Sequence, residues 1–342
     1  MRININKYFS SKTKLRPLLI AEISANHCGK KSLFLKSIRS AAIHGADLIK
    51  IQTYQPEDIT IKNPNKKSKQ NKIWKLYSDA QTPYDWHKDA FLLAKKIGIE
   101  LFSTPFSLRA VDFLQKFNVK IFKISSFEIT DVNLIEKIAK TKKPVIVSTG
   151  MANLNEIKAC VKIIKKYHNK IILMHCVSGY PTPENQANIK RIELLKKNFK
   201  KINIGISDHT NDIITSLASI PLGVVLIEKH FIVSKKLNSV DKKFSIDSNQ
   251  FLNLSKISRR VFGSLGKGSL EIQKKERASK KYRRSIFSIM DIKKGEKFNV
   301  RNISTFRPSI GLGADLFFKI IGKKSNKNIK CFKPIFKSDL SK

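Results

Sequence analysis

Short apolar runs recur along the chain at intervals of about 20 to 30 residues. They read LLIAEIS (18–24), DLIKIQT (47–53), IELFST (99–104), VKIFKIS (119–125), PVIVST (144–149), KIILMHC (170–176), INIGIS (202–207) and GVVLIEKH (223–230). Runs this short and this continuously apolar suit strands buried on both faces. Most of the intervening segments carry the 3.6-residue period of an amphipathic helix. Leu134, Ile135 and Ile138 form one such stripe, and Ile157, Val161 and Ile164 another. Cys160 lies beside the second stripe and is expected in the core. Buried strands alternating with amphipathic helices predict an α/β fold with a parallel, helix-covered sheet. Eight such units in about 260 residues predict a (β/α)8, or TIM, barrel.

Two stretches depart from this pattern. Residues 54–83 make a long, polar, Lys- and Asn-rich crossover, expected to pass over the mouth of the barrel. After residue 262 the sequence GSLGKGSLEIQKKERASKKYRRS is Gly- and Lys-rich. From Ser285 onward, short strands and turns are expected. The predicted domains are therefore 1–262 (barrel), 263–284 (linker) and 285–342 (a small β-rich domain).

Composition narrows the classes. No run approaches the roughly 20 apolar residues of a membrane span, and the apolar run near the N-terminus is too short for a signal peptide and ends at Glu22. Cys28, Cys160, Cys176 and Cys331 are far apart and form no CxxC, which argues against a disulfide scaffold or zinc site. A reduced, cytoplasmic protein is expected. The net charge of +41 raises nucleic-acid binding as a function. Lysine dominates arginine, however, and is spread along the whole chain without a nucleic-acid motif. The expectation is a lysine-coated surface that binds neither nucleic acid nor membrane but draws in anionic metabolites.

In a barrel of this kind, catalytic groups belong at the C-terminal ends of the strands. The predicted ends carry Glu22, Asn26 and His27; Lys50, Gln52 and Tyr54; Ser103 and Thr104; Lys123, Ser125, Ser126 and Glu128; Ser148 and Thr149; His175, Cys176, Ser178 and Tyr180; Ser207, Asp208 and His209; and Glu228, Lys229 and His230. So many polar groups converging on one mouth without a ligand would cost several kcal/mol. Lys50 and Lys123, with Ser103, Thr104, Ser126, Ser148 and Ser207, have the chemistry of a phosphate cradle. His209 and His230, at the ends of adjacent strands near carboxylates, suit a divalent-metal site with open positions.

The segments IAEISANH, IKIQTY, FSTPF, FKISSFE, VSTGM, HCVSGYPTP, GISDHT and IEKHF occur in order at strand spacing. Together they resemble the sialic-acid (nonulosonic acid) synthase family, whose members condense phosphoenolpyruvate with an amino sugar. RRSIF, DIKKGE, FRPSIGLG and IIGKK look like the antifreeze-like (SAF) C-terminal domain of those enzymes. The resemblance spans about residues 18–335. Within the family, QTPYDWH (81–87), Phe127 in KISSFE and the SVDKKFSID segment look closest to the pseudaminate branch.

The resemblance implies roles residue by residue. Lys50, Thr104, Lys123, Ser126, Ser148 and Ser207 would hold phosphoenolpyruvate. His209 and His230 would bind Mn2+ or Mg2+. Glu22, Gln52, Tyr180 and Asp241 would face the sugar, expected to be a 2,4-diacetamido-2,4,6-trideoxy-altrose. Glu128 would sit near the reacting carbons. Arg307 would reach from the small domain into the barrel of a partner in a domain-swapped homodimer. Two alternatives remain at this point. One is an N-acetylneuraminate or legionaminic acid synthase; the other is a barrel without catalysis that binds anionic polymers.

Overall fold

The computed structural model describes residues 4–10, 15–65 and 69–341. The chain divides into two compact units, Met1–Gly266 and Lys267–Lys342. In the first, eight parallel strands run in sequence order: β1 (Leu18–Glu22), β2 (Leu48–Thr53), β3 (Glu100–Pro105), β4 (Phe122–Ile124), β5 (Val145–Ser148), β6 (Ile171–Cys176), β7 (Asn203–Asp208) and β8 (Leu226–Ile232). β8 pairs back onto β1, with Leu18 opposite Leu226 and Glu22 opposite His230, and the sheet closes as a TIM-type barrel.

Local signals start and stop the covering helices. Asp131 caps Val132–Lys140 by accepting from the Leu134 N–H at 3.0 Å. Asn153 with Glu156, and Asp247 with Gln250, form capping boxes for Leu154–Lys165 and Ser248–Ser264. Caps of this kind are worth about 1 kcal/mol each. Tyr84–Ile97 ends at Gly98 with φ 78°, a left-handed conformation natural to glycine.

The core has two layers. Outward-facing residues such as Ile49, Ile51, Phe122, Ile124 and Phe231 pack against the helices. Inside the barrel, Leu18, Ile20, Leu48, Phe102, Ile121, Ile146, Ile172, Met174 and Leu226 fill the lower part. Ile5, Tyr8 and Phe9 of the N-terminal segment join that inner cluster, and Asn203 Nδ2 at the start of β7 donates to the Tyr8 carbonyl at 2.7 Å. The end of the barrel opposite its mouth is thus plugged, an element the hydrophobic pattern did not predict.

The 54–83 crossover folds as helices Pro56–Ile59 and Lys69–Ala80, with residues 66–68 outside the described set. No side chain of Lys69–Ala80 is fully buried; Tyr77 meets Tyr54, just past β2, edge to face at 5.9 Å. The helix Ser248–Ser264 runs across the expected boundary at residue 262. In the second unit, Lys274–Tyr282 is an exposed 3-10 helix, and Ser285–Ser288 pairs antiparallel with Ile303–Phe306. Its own core is Ile286, Ile292, Phe298, Ile303, Ile320, Ile329 and Ile335. No helix among the described residues is long and apolar enough to cross a membrane.

Candidate active site

Successive side chains on a strand point to opposite faces, and this decides which polar strand ends reach the barrel interior. Lys50 stands between outward-facing Ile49 and Ile51, Lys123 between Phe122 and Ile124, and Glu228 and His230 flank Lys229. The inward set meets above the apolar filling. Lys123 Nζ donates to both Glu228 oxygens, at 3.1 and 2.9 Å. Lys50 Nζ lies 2.9 Å from Glu22 Oε2 and 3.4 Å from Glu228 Oε1, and donates to Thr104 Oγ1 at 3.2 Å. Ser207 Oγ donates to Glu228 Oε1 at 3.0 Å.

These groups are almost wholly buried, so their charge states follow from one another. Burial pushes the Glu22 carboxyl up, against the pull of Lys50, and neither Glu22 oxygen has a hydrogen bond in line. For Glu228 burial also opposes the charge, but Lys123 and Lys50 outweigh it and hold the carboxyl well below its ordinary range. Burial likewise opposes the Lys50 ammonium, where Glu22 and Glu228 prevail and raise its pKa. Burial lowers Lys123, and Glu228 offsets it only in part. Two amines and two carboxylates thus meet in one buried cluster, and Lys123, where burial outweighs its carboxylate partner, is the amine whose charge is compensated least.

Beside this cluster stand the two imidazoles, His209 just past β7 and His230 on β8, with ring centroids 5.6 Å apart. His209 Nδ1 lies 2.8 Å from the Val177 carbonyl, which can only accept, so Nδ1 carries the proton and Nε2 keeps its lone pair. Burial lowers its pKa to about 3, keeping the ring neutral as a metal ligand must be. His230 Nδ1 is buried without a hydrogen bond, 3.5 Å from Asp241 Oδ2. Burial works against the Asp241 carboxylate, but His230, Ser24 and the Ala25 N–H prevail and hold it low. Among the described residues no three His, Cys, Asp or Glu side chains come close enough to enclose a cation unaided. What the pair offers a cation is the unprotonated Nε2 of His209 and the buried, unbonded Nδ1 of His230 beside Asp241.

The remaining predicted residues fall into two groups. Ser126 Oγ, 2.9 Å from Cys176 Sγ, accepts from the Gly150 N–H at 3.2 Å. A Cβ on Gly150 would come within 2.3 Å of Ser178 Oγ and 2.8 Å of Ser126 Oγ, so a larger residue would have to displace these hydroxyls. Ser148 ends β5 and Gln52 lies on the inward face of β2. Tyr180 covers the imidazoles, 4.4 Å from the His209 ring and 6.2 Å from that of His230. Glu128 accepts from the Ser125 hydroxyl, and burial raises its pKa to about 7. Arg307 is exposed and lies in the second unit, directly after the strand Ile303–Phe306.

Not every polar strand end converges on the mouth. Ser103 faces outward, bonded to Thr53 Oγ1 at 2.6 Å, and Thr53 in turn reaches His87 Nε2 at 2.8 Å. Thr149 donates to the Met174 carbonyl, and His175 to that of Ala187. Asp208 and Lys229 pair behind the sheet. His27 packs edge-on to Phe34 and Trp86, and burial lowers it to about 4. The phosphate cradle is thus narrower than expected, because Ser103 leaves it. Sequence reasoning assigned Glu228 no role, yet Glu228 joins both lysines. Its parity was a usable signal, since Glu228 and His230 share a face of β8. A cleft of about 860 Å³ opens elsewhere, lined by Asp47, Leu48, Phe91, Glu100 and Leu101 at the N-terminal ends of β2 and β3.

A closed parallel barrel with buried ammonium, carboxylate and imidazole groups gathered at its C-terminal mouth is the framework of a barrel enzyme. Comparison with known proteins narrows this. Residues 37–270 match the NeuB family. A pseudaminic acid synthase of Campylobacter jejuni subsp. jejuni is 39% identical over 327 residues, 93% of this chain and 95% of the relative. An N,N'-diacetyllegionaminic acid synthase of the same organism is 38% identical, covering 92% and 97%. Among solved structures, an N-acetylneuraminic acid synthetase of Leptospira borgpetersenii, in complex with citrate, superposes with a TM-score of 0.71 at 32% identity, covering 77% of this chain and 90% of that one. The chain belongs to the NeuB family.

Proposed function

We propose that the chain is a pseudaminic acid synthase, joining phosphoenolpyruvate, a 2,4-diacetamido-2,4,6-trideoxy-altrose and water into a nine-carbon 2-oxo acid with release of phosphate. The observation that carries it is the pair Lys50 and Lys123, two buried amines inside the barrel mouth near the hydroxyls of Thr104 and Ser207. Amines and hydroxyls so placed suit an anion, and phosphoenolpyruvate supplies one. Lys50, Thr104, Lys123, Ser126, Ser148 and Ser207 bind and orient it. Carbon three attacks the sugar aldehyde, and positive charge develops at carbon two. Water adds there, and the tetrahedral centre expels phosphate. Holding two reactants in attack geometry is worth about 7–11 kcal/mol in favourable cases.

Glu128, with a pKa of about 7, suits the proton transfer from that water. Glu22, Gln52, Tyr180 and Asp241 face the sugar. His209 and His230 hold Mn2+ or Mg2+. When bound, such a cation polarises the aldehyde oxygen as a Lewis acid. The Lys267–Lys342 unit is read as the antifreeze-like domain, with Arg307 completing the mouth of a partner subunit in a homodimer.

Identities of 39% and 38% to the pseudaminate and legionaminate enzymes do not separate the acceptors. The pseudaminate assignment leans on the QTPYDWH, KISSFE and SVDKKFSID segments. Phosphate release from phosphoenolpyruvate, measured with a panel of acceptor sugars, tests it. Turnover is expected with the diacetamido-altrose. Preference for N-acetylmannosamine or a diacetamido-mannose would move the chain to a neighbouring branch, and no release with any sugar would refute catalysis.

A further inference from the structure

Three lysines are buried among the described residues: Lys50, Lys123 and Lys229. The first two serve the barrel interior. Lys229 points the other way, has no exposed surface, and belongs to none of the chemistry above. It lies in the run Glu228, Lys229, His230, where alternation sends the outer two inward and the middle one back toward the helices.

Its surroundings are fully hydrogen-bonded. Lys229 Nζ lies 3.0 Å from Asp208 Oδ2 and donates to the Thr210 carbonyl at 2.5 Å and to Thr210 Oγ1 at 3.2 Å. Asp208 Oδ1 accepts from the Thr210 N–H at 2.9 Å and from its hydroxyl at 2.7 Å, while Oδ2 accepts from Ser216 Oγ at 2.5 Å. Asp208 and Lys229 stand opposite each other in the last paired register of β7 and β8. The next residues on the two strands are His209 and His230. Lys229 therefore grips the residues on both sides of His209, Asp208 and Thr210, and is itself the residue before His230.

Packing alone does not require this arrangement. An apolar pair of similar volume often replaces a buried ion pair at no loss of stability. What an apolar pair cannot do is hold the Thr210 backbone and hydroxyl in a fixed place. We propose that Asp208 and Lys229 are positioning residues that set the separation of the two imidazoles from behind the sheet, and so tune their affinity for a divalent cation. The inference rests on the assignment of His209 and His230 as cation ligands. Asp208 and Lys229 lie on the outer face of the sheet and act only through the strand ends.

The test is calorimetric titration of the chelator-stripped full chain with Mn2+, alongside thermal unfolding. Three variants are compared with wild type: Lys229→Met, the double variant Asp208→Leu/Lys229→Met, and His209→Ala as a control. The double variant replaces the ion pair by apolar side chains and is expected to fold. Outer partners of metal ligands typically shift metal affinity by roughly 10–100-fold, so Lys229→Met and the double variant are expected to bind Mn2+ at least tenfold more weakly. Phosphoenolpyruvate affinity measured without metal is expected to stay at the wild-type value in both. A folded double variant that binds Mn2+ as tightly as wild type, while His209→Ala does not, overturns the positioning role and leaves the ligand assignment standing. Wild-type Mn2+ affinity in His209→Ala removes the ligand assignment, and the inference with it. Failure of both Lys229 variants to fold also overturns it, because the pair would then serve the fold as a whole.

Discussion

Neutralising Glu228 perturbs the interior most directly. Its oxygens accept from Lys123 at 2.9 and 3.1 Å and from Ser207 at 3.0 Å, and Lys50 Nζ lies 3.4 Å away. Glu228→Gln keeps the shape and one acceptor oxygen but removes the charge. Taking one partner from a buried ion pair costs roughly 3–5 kcal/mol, because the other charge is left uncompensated. Lys50 keeps Glu22 at 2.9 Å, so the loss falls mainly on Lys123 and is expected in the lower part of that range. A protein has about 5–15 kcal/mol of stability in all, so the variant should be folded but weak. The pH dependence has a definite sign. Burial already lowers Lys123 below its ordinary 10.5, and without Glu228 it falls further. Below that ordinary value the unfolded chain then binds more protons than the folded one, so the variant gains stability as pH rises. Urea unfolding, followed by the fluorescence of Trp86 in the barrel core, reads this at a series of pH values. The deficit against wild type should be greatest near neutrality and shrink toward roughly pH 10. Phosphoenolpyruvate brings the missing negative charge and should raise the variant's midpoint more than that of wild type. A deficit under about 1 kcal/mol with no pH trend would refute the reasoning, since Lys123 would then have another compensating partner.

Lys50→Met and Lys123→Met each remove a charge aimed at the anion, and each should weaken phosphoenolpyruvate binding by roughly 1.5–3 kcal/mol in calorimetry; wild-type affinity in both would make the lysines purely structural. For Glu128, burial raises the carboxyl from its ordinary 4.5 to about 7, so the folded state holds that proton more tightly and the residue's contribution to stability declines as pH rises through this window. As a base it should give kcat/KM an acidic limb falling below about pH 7, and Glu128→Gln should abolish turnover; an unchanged limb in an active variant assigns it to another group. Arg307→Ala and His230→Ala, each nearly inactive alone, should partly restore activity when subunits are exchanged. No recovery under proven exchange would place Arg307 outside a partner's site.

Much of the barrel could be read from periodicity because its signal is local: buried strands are continuous apolar runs, and helices show a stripe. The N-terminal plug was not legible, since Ile5, Tyr8 and Phe9 are too few to show a period and gain meaning only under a closed barrel. For the site, the strand ends were found but not their facing. Ser103 looks like Thr104 in a list of hydroxyls, yet one bonds Thr53 behind the sheet and the other Lys50 inside it. Glu228 escaped for a different reason. A carboxylate becomes informative when its partners are known, and Lys50 and Lys123 lie 178 and 105 residues away in sequence.

The plugged lower end has a kinetic consequence. With side chains such as Phe102, Ile146 and Met174 filling the lower barrel, and Tyr8 and Phe9 joined to that layer, every molecule that reaches Lys123 comes and goes through a single opening. Traffic through one opening is a stack: the deepest occupant enters first, and later arrivals sit above it. If Lys50 and Lys123 hold the anion, as proposed, it should bind before the sugar, which would block its way. A dead-end sugar analogue should then be uncompetitive against phosphoenolpyruvate, and a noncompetitive pattern would mean that the two reach their places independently.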